Sequence, residues 1–419
     1  MRSDETRALG ALAGRLAGEV TDRIEELHRA IAGRSFRGAV AAPARTAHDA
    51  IAAGAYAAVR LGAGAAARGA GLVLAAVSDQ QRPPLASSPS GAFAQAALGG
   101  IIGDTLTGAE APLAIPMAFR HRGEDVPPRA LHRVLPRPTG KIIIFIHGLC
   151  ESESSWRLFR ERNGGETYGS RLHAELGYTP LWLRYNSGLH ISENGGRLSD
   201  LLDETVAAWE VPVEQIALVG HSMGGLVARS ACHRGETTGA AWTPSLRHVF
   251  HLGAPHLGAS LEQAANAAGW ALGKLGETRP VARVLELRSA GMKDLRYGAL
   301  VDEDWHGADP DALLDDRCTD VPLFASANHY VISAKLNGPL GGFAGDLLVR
   351  RASAEGQGPA RRIAFELDNV RHLPGLNHFQ LLNHPEVYER MRAWLTAPPA
   401  GRAQLPPGMT RLPAPPHAL

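Results

Sequence analysis

The 419-residue chain reads as an α/β protein, a mostly parallel central sheet with helices on both faces. Three observations predict it. Short apolar runs of strand length alternate with stretches of helical period through the middle of the chain. One run, Lys141-Ile-Ile-Ile-Phe-Ile146, is apolar at odd and even positions alike, as a strand buried on both faces must be. Another, Gln215 to Val219, passes through Gly220-His221-Ser222-Met223-Gly224 into small and apolar residues at helical spacing, so that strand, tight turn and helix follow in order.

Composition narrows the function classes. A chain of this length buries a large core in one large or two modest domains. With 43 basic and 42 acidic residues, the formal charge of +1 offers no long-range steering of nucleic acid. Cys150, Cys232 and Cys318 are irregularly spaced without a C-x-x-C pair, and are expected to be buried free thiols. The start, Met1-Arg-Ser-Asp-Glu-Thr-Arg7, leads into no uninterrupted apolar stretch, so no secretory signal is apparent and a cytoplasmic location is expected.

In chain order, residues 1–110 form an alanine-rich helical prefix. Leu9, Leu12, Leu16, Val20, Ile24, Leu27 and Ile31 recur every three or four positions, an amphipathic helix. A second helical region runs from about Thr46 to Val77; carrying Arg60 and Arg68, it makes a poor membrane span. A third, Ala92 to Leu106, is loosened by Gly99-Gly100. The regular stripe favours packing of the prefix on the main domain over docking to a lipid surface.

Residues 111–397 form the α/β domain. Leu113 to Phe119 and Ala130 to Leu135 read as short strands around a polar turn at His121 to Pro128. After Lys141 to Ile146 come a helix at Tyr168 to Leu176, a strand at Thr179 to Tyr185 and a helix at Arg197 to Trp209. The Gln215 strand and its helix follow, then a strand at Leu246 to Leu252. Residues 258–321 break the alternation and read as an inserted cap, with helical segments at Leu261 to Leu275 and Val281 to Leu287 and an acidic stretch from Asp302 to Asp316. Strands near His329 to Ser333 and Ile363 to Leu367, a loop through Gly341-Gly342 to Asp346 and a last helix from Pro385 to Leu395 complete the domain. Residues 398–419 are a Pro-rich tail.

Ser222 sits at the tip of the tight turn, where glycines two residues to either side let strand and helix approach. A serine hydroxyl needs a base within hydrogen-bond reach, and the base needs a group to hold its tautomer. In the chain order Ser, acid, His, the base is His378, between the last strand and the last helix. His384 is its rival, but Pro385 marks it as a helix start. The acid is Asp346, with Asp368 as competitor. Oxyanion donors are expected from the backbone N–H groups of Met223 and Leu149. His147 is expected to be a structural hydrogen-bonding residue.

Phe145-Ile-His-Gly-Leu149, Gly220-His-Ser-Met-Gly224, Leu252-Gly-Ala-Pro-His-Leu-Gly258, Gly345-Asp346 and Asn377-His378 together resemble the α/β-hydrolase superfamily. Within it they are similar to the lipase branch of GPI inositol-deacylases and bacterial triacylglycerol lipases. The resemblance spans about Pro112 to Leu395; Ala254 stands where that branch usually has Thr. It implies a lipase or esterase cleaving carboxylic esters through Ser222, His378 and Asp346, without cofactor or metal, on a small-molecule or lipid ester. Two alternatives stay open: an acyltransferase or amidase with the same triad, and a non-catalytic lipid- or partner-binding module. The prefix is the part through which a membrane or lipid surface would be met.

Overall fold

The computed structural model describes residues 1–35, 42–79, 81–135, 137–273, 287–313, 316–337, 346, 348–358 and 361–397. Eight strands, β1 (Ala118–His121), β2 (Glu124–Val126), β3 (Lys141–Ile146), β4 (Thr179–Arg184), β5 (Gln215–His221), β6 (Leu246–Leu252), β7 (Asn328–Lys335) and β8 (Val370–Pro374), form one sheet in the order β2-β1-β4-β3-β5-β6-β7-β8. β1 pairs antiparallel with β2 and β4, and every other neighbour is parallel. The chain therefore starts at one edge, crosses to the centre at β3, steps back to β4 beside β1, and then runs through β5, β6, β7 and β8 to the other edge.

The apolar run of β3 is divided by the pleat between two cores. Ile142, Ile144 and Ile146 pack with Leu181, Leu183, Ile216 and Leu218 on one face. Ile143 and Phe145 pack with Ala217, Val219, Phe250 and Ile332 on the other. All five β3 side chains are at most 1% exposed, which at about 1.5–3 kcal/mol per large apolar side chain makes this strand a major source of stability. The helices that cover the sheet include α5 (Tyr168–Leu176), α6 (Ile191–Ala208), α7 (Met223–Thr238) and α11 (Pro385–Thr396), the last carrying Val387, Tyr388 and Met391 into the second core.

Two predicted strands are not strands. Residues 130–135 are largely the short helix α4 (Leu131–Val134), because Pro127-Pro128 open a 3-10 turn at Pro128–Ala130 that continues into it. Ile363 to Leu367 is mostly apolar, yet Leu367 is 84% exposed. That segment instead folds back on residues 356–358, with Ile363 N–H donating to Gly356 O, and the open edge of β7 is taken by Val370 to Pro374. Only the end of Leu113 to Phe119 joins β1, since Gly108–Leu113 is 3-10 helix, and the polar turn after it holds the hairpin strand β2. Residues 281–286, Gly341-Gly342 and the tail from 398 lie outside the described residues.

The insertion holds α8 (Ser260–Gly273) and α9 (Ala290–Asp294), and the single turn α10 (Arg351–Ala354) follows β7. The acidic residues of the insertion serve the loop itself. Asp304 accepts backbone N–H groups of Leu300, Val301 and Thr319, and Asp311 pairs with Lys293 at 2.7 Å and Arg288 at 3.3 Å. Of the three cysteines only Cys232 is buried; Cys150 and Cys318 are half-buried, a correction to the expectation for those two.

The prefix is three helices, α1 (Ser3–Ser35), α2 (Ala42–Ala76) and α3 (Pro89–Ile102). α1 and α2 pack as a tight pair, for a Cβ on Gly10 would lie 2.7 Å from Gly71 Cα. Ala8 and Leu12 of α1 are buried with Leu106 and Leu113, and Arg15 grips the Glu110 carboxylate at 2.7 and 2.9 Å. The expected stripe thus packs over its first half, while Val20 and Ile24 farther along it stay exposed. The far side of α2 is also uncovered, with Ile51, Leu61 and Val73 each more than two-thirds exposed.

Candidate active site

The turn between β5 and α7 holds Ser222 at φ 53°, ψ −125°, a conformation that side chains beyond glycine rarely adopt and that stores about 1–3 kcal/mol of strain. Its neighbours hold it there. Ser222 N–H donates to Leu252 O at 2.8 Å and Gly225 N–H donates to Ser222 O at 3.0 Å. The crossing is too tight for side chains: a Cβ on Gly220 would meet Gly224 C at 2.4 Å, and one on Gly224 would meet Ile146 O at 2.3 Å.

The loop after β3 lies beside this turn, since a Cβ on Gly148 would come within 3.0 Å of Ser222 Cβ. Leu149 and Met223, the expected oxyanion donors, follow Gly148 and Ser222 in the chain, one in the loop after β3 and one as the first residue of α7. His147 is fully buried with Nδ1 donating to Gly148 O (2.9 Å) and Nε2 accepting from Tyr185 N–H (3.3 Å). Burial holds its pKa below the usual value, so it is a neutral structural ring.

His378 opens a 3-10 turn set by a reciprocal cap, in which Asn377 Oδ1 accepts from Gln380 N–H and Gln380 Oε1 accepts from Asn377 N–H. Its Nδ1 lies 2.7 Å from Asp346 Oδ2, both side chains being 2% exposed. The other carboxylate oxygen accepts N–H groups of Leu348 and Val349 at 3.1 and 2.8 Å. A carboxylate at Nδ1 places the proton there and leaves Nε2 as the free base. That Nε2 is buried with no hydrogen-bond partner among the described residues. The rivals fall elsewhere: His384 caps α11, accepting from Glu386 N–H, and Asp368 is exposed in the turn before β8.

The site holds a second charged pair that sequence reasoning missed. Glu151 accepts Gly148 N–H at 3.0 Å and lies 2.9 Å from His221 Nδ1, while His221 Nε2 lies 3.2 Å from His378 O. Both ring nitrogens face acceptors, so His221 is an imidazolium and the pair is a buried salt bridge joining the Gly148 loop, the nucleophile strand and the His378 turn. Burial opposes the charge on His221, but Glu151 outweighs it and its pKa stands above the usual value. Burial likewise works to raise Glu151, yet His221 and the Gly148 N–H hold its pKa below the usual value. The available signal was a carboxylate three residues after a turn glycine, a spacing that lets a side chain reach back to that N–H.

The prefix reaches this site as well. A Cβ on Gly100 of α3 would fall 2.3 Å from Cys150 Sγ, so α3 touches the loop that carries Leu149. Ser289 Oγ donates to Gly100 O and Ala290 N–H to Asp104, which bridges α3 to the cap, and a Cβ on Gly291 would stand 3.2 Å from Met223 Cε.

Residues 137–268 match the family model described as PGAP1-like alpha/beta domain. No curated protein matches the chain. Among solved structures, the Bacillus licheniformis lipase BlEst2 in its propeptide form aligns with 20% identity over 62% of this chain and 52% of its own, TM-score 0.43. Its mature form gives 18% over 62% and 95%, TM-score 0.40. The Pyrococcus furiosus esterase PF2001 gives 14% over 61% and 82%, TM-score 0.34. The chain spans about half the length of the first of these. With its strand order and the turn at Ser222, the chain has the α/β-hydrolase fold, and its residues 137–268 match the PGAP1-like alpha/beta domain.

Proposed function

We propose that the protein is a serine hydrolase of carboxylic esters, a lipase or esterase. Ser222 Oγ attacks the ester carbonyl while its proton passes to His378 Nε2, and Asp346 stabilises the resulting imidazolium. The N–H groups of Leu149 and Met223 receive the oxyanion of the tetrahedral intermediate. Its collapse breaks the carbonyl C–O bond, and His378 returns the proton to the departing alkoxide. Water, activated by the same ring, then cleaves the acyl-enzyme. These side chains and water complete the cycle.

The observation that supports this reading best is the 2.7 Å contact of His378 Nδ1 with Asp346, in a chain whose Ser222 is held at positive φ in the turn after β5. The test is reaction with an alkyl phosphonate followed by mass spectrometry, alongside hydrolysis of p-nitrophenyl esters of graded chain length, an amide and a thioester. Expected are a single adduct on Ser222 and turnover of the oxygen esters. An intact, folded protein that forms no adduct would leave a non-catalytic binding module, and preference for the amide would move the assignment to an amidase.

The substrate is an ester with an apolar acyl part, met at a lipid surface. The uncovered side of α2 supports this: the His48–Ala76 stretch is long and apolar enough to cross a membrane, with 6% of its window buried. Arg60, midway along it, is bound to Asp22 and Glu25 of α1. A span would carry those charges into the hydrocarbon, whereas a helix lying in the interface keeps α1 on the water side.

A further inference from the structure

A second polar site lies apart from the Ser222 machinery. A cavity of about 470 Å³ is walled by α7, the loop after β6 and the segments at 319–323 and 361–364. Arg229 of α7 and His256 of the Gly-Ala-Pro-His loop both line it, and they are 4% and 1% exposed. Arg229 Nη2 donates to Val321 O at 2.7 Å, and Nη1 faces His256 Nδ1 at 3.4 Å. Its Nε is buried with no partner, and no carboxylate among the described residues pairs with the guanidinium.

The chemistry of these atoms fixes what is missing. A guanidinium only donates, so His256 Nδ1 is the acceptor of that contact and the ring proton sits on Nε2. His256 Nε2 is also buried without a partner. The lining brings the guanidinium of Arg229 together with those of Arg361 and Arg362 against one acid, the exposed Asp320. Burial pushes the Arg229 pKa down to about 10, with Arg361 adding to the effect and Asp320 opposing it. A buried cation lacking a counter-charge is strongly destabilising.

We infer that this cavity binds an oxyanion group, a phosphate or a carboxylate, held by the guanidinium groups of Arg229, Arg361 and Arg362. Such a group supplies the negative charge that Arg229 lacks. The inference is independent of the chemistry at Ser222.

The test is thermal unfolding of the full chain in inorganic phosphate, in acetate and in chloride at matched ionic strength and pH, with calorimetric titration of phosphate. Expected is a concentration-dependent rise in Tm of several degrees in phosphate or acetate over chloride, from binding to the native state alone. Which anion gives the larger rise identifies the group. The rise should vanish in Arg229→Gln and shrink in Arg361→Gln; if the Arg229 variant does not fold, Arg361→Gln and Arg362→Gln together carry the test. Equal Tm values in all three salts, or an undiminished rise in these variants, would overturn the site.

Discussion

Asp346 spends one carboxylate oxygen on His378 Nδ1 and the other on the N–H groups of Leu348 and Val349, so its position and the ring's tautomer are set together. Asp346→Asn is therefore expected to lower kcat by about 10⁴-fold through the wrong tautomer. Ser222→Ala or His378→Ala should each remove about 10⁶-fold, because the members act as a unit. Asp368→Asn, exposed and remote from the ring, should leave kcat/KM unchanged on a p-nitrophenyl ester; a loss there would reassign the acid. The Glu151–His221 pair carries a pH signature. His221, raised when folded, contributes stability that is full below its unfolded pKa and is lost as pH rises through the folded value. Glu151, lowered when folded, contributes above its unfolded pKa and loses that contribution as pH falls through the folded value. The pair thus contributes in full between the unfolded pKa of Glu151 and that of His221, so Glu151→Gln should lower Tm within that window and flatten its fall on either side. A Glu151→Gln profile parallel to the wild type would disprove the salt bridge.

At the scale of elements, α3 and α2 have opposite faces to explain. α3 is pressed against Cys150 at a glycine, so Gly100→Val is expected to push the Leu149 loop off the nucleophile. Its reading is a fall in kcat of roughly tenfold or more with phosphonate labelling slowed in step, since one oxyanion donor is worth about 10²–10³-fold. Unchanged kinetics in a folded Gly100→Val protein would show that the loop tolerates the shift. α2 turns Leu72, Val73 and Leu74 to solvent. Replacing these three with Ser should abolish flotation with anionic vesicles and remove any advantage of emulsified over dissolved ester, while hydrolysis of the dissolved ester persists. Full flotation of the triple variant would place the lipid contact elsewhere.

For the whole molecule, α1 packs on the segment that leads into the hydrolase fold: Leu12 is buried with Leu106 and Leu113, Arg15 grips Glu110, and Glu5 accepts Leu85 N–H at 2.9 Å. Removing residues 1–80 should then lower Tm measurably and expose apolar surface, since burying one Leu contributes about 1.5–3 kcal/mol. A truncated chain as stable as the full one would show that α1 adds nothing to the fold. What the sequence by itself determined is whatever depends on short-range pattern. The doubly buried β3, the strand–turn–helix at Ser222 and the helices at Tyr168 and Pro385 are written in local periodicity and in glycines that a tight crossing demands. The contact of Asp346 with His378 was legible from the expected chain order of serine, acid and histidine, and His384 was separated from His378 by the proline after it. Tertiary structure alone decided which segment takes a sheet edge: Ile363 to Leu367 has the apolar content of a strand, but Val370 to Pro374 reaches the free edge of β7. It also decided that Glu151 meets His221 and that Arg229 meets His256. These pairs are far apart in the chain, and no local pattern encodes a contact whose geometry is fixed by three converging strands and the loops at their ends.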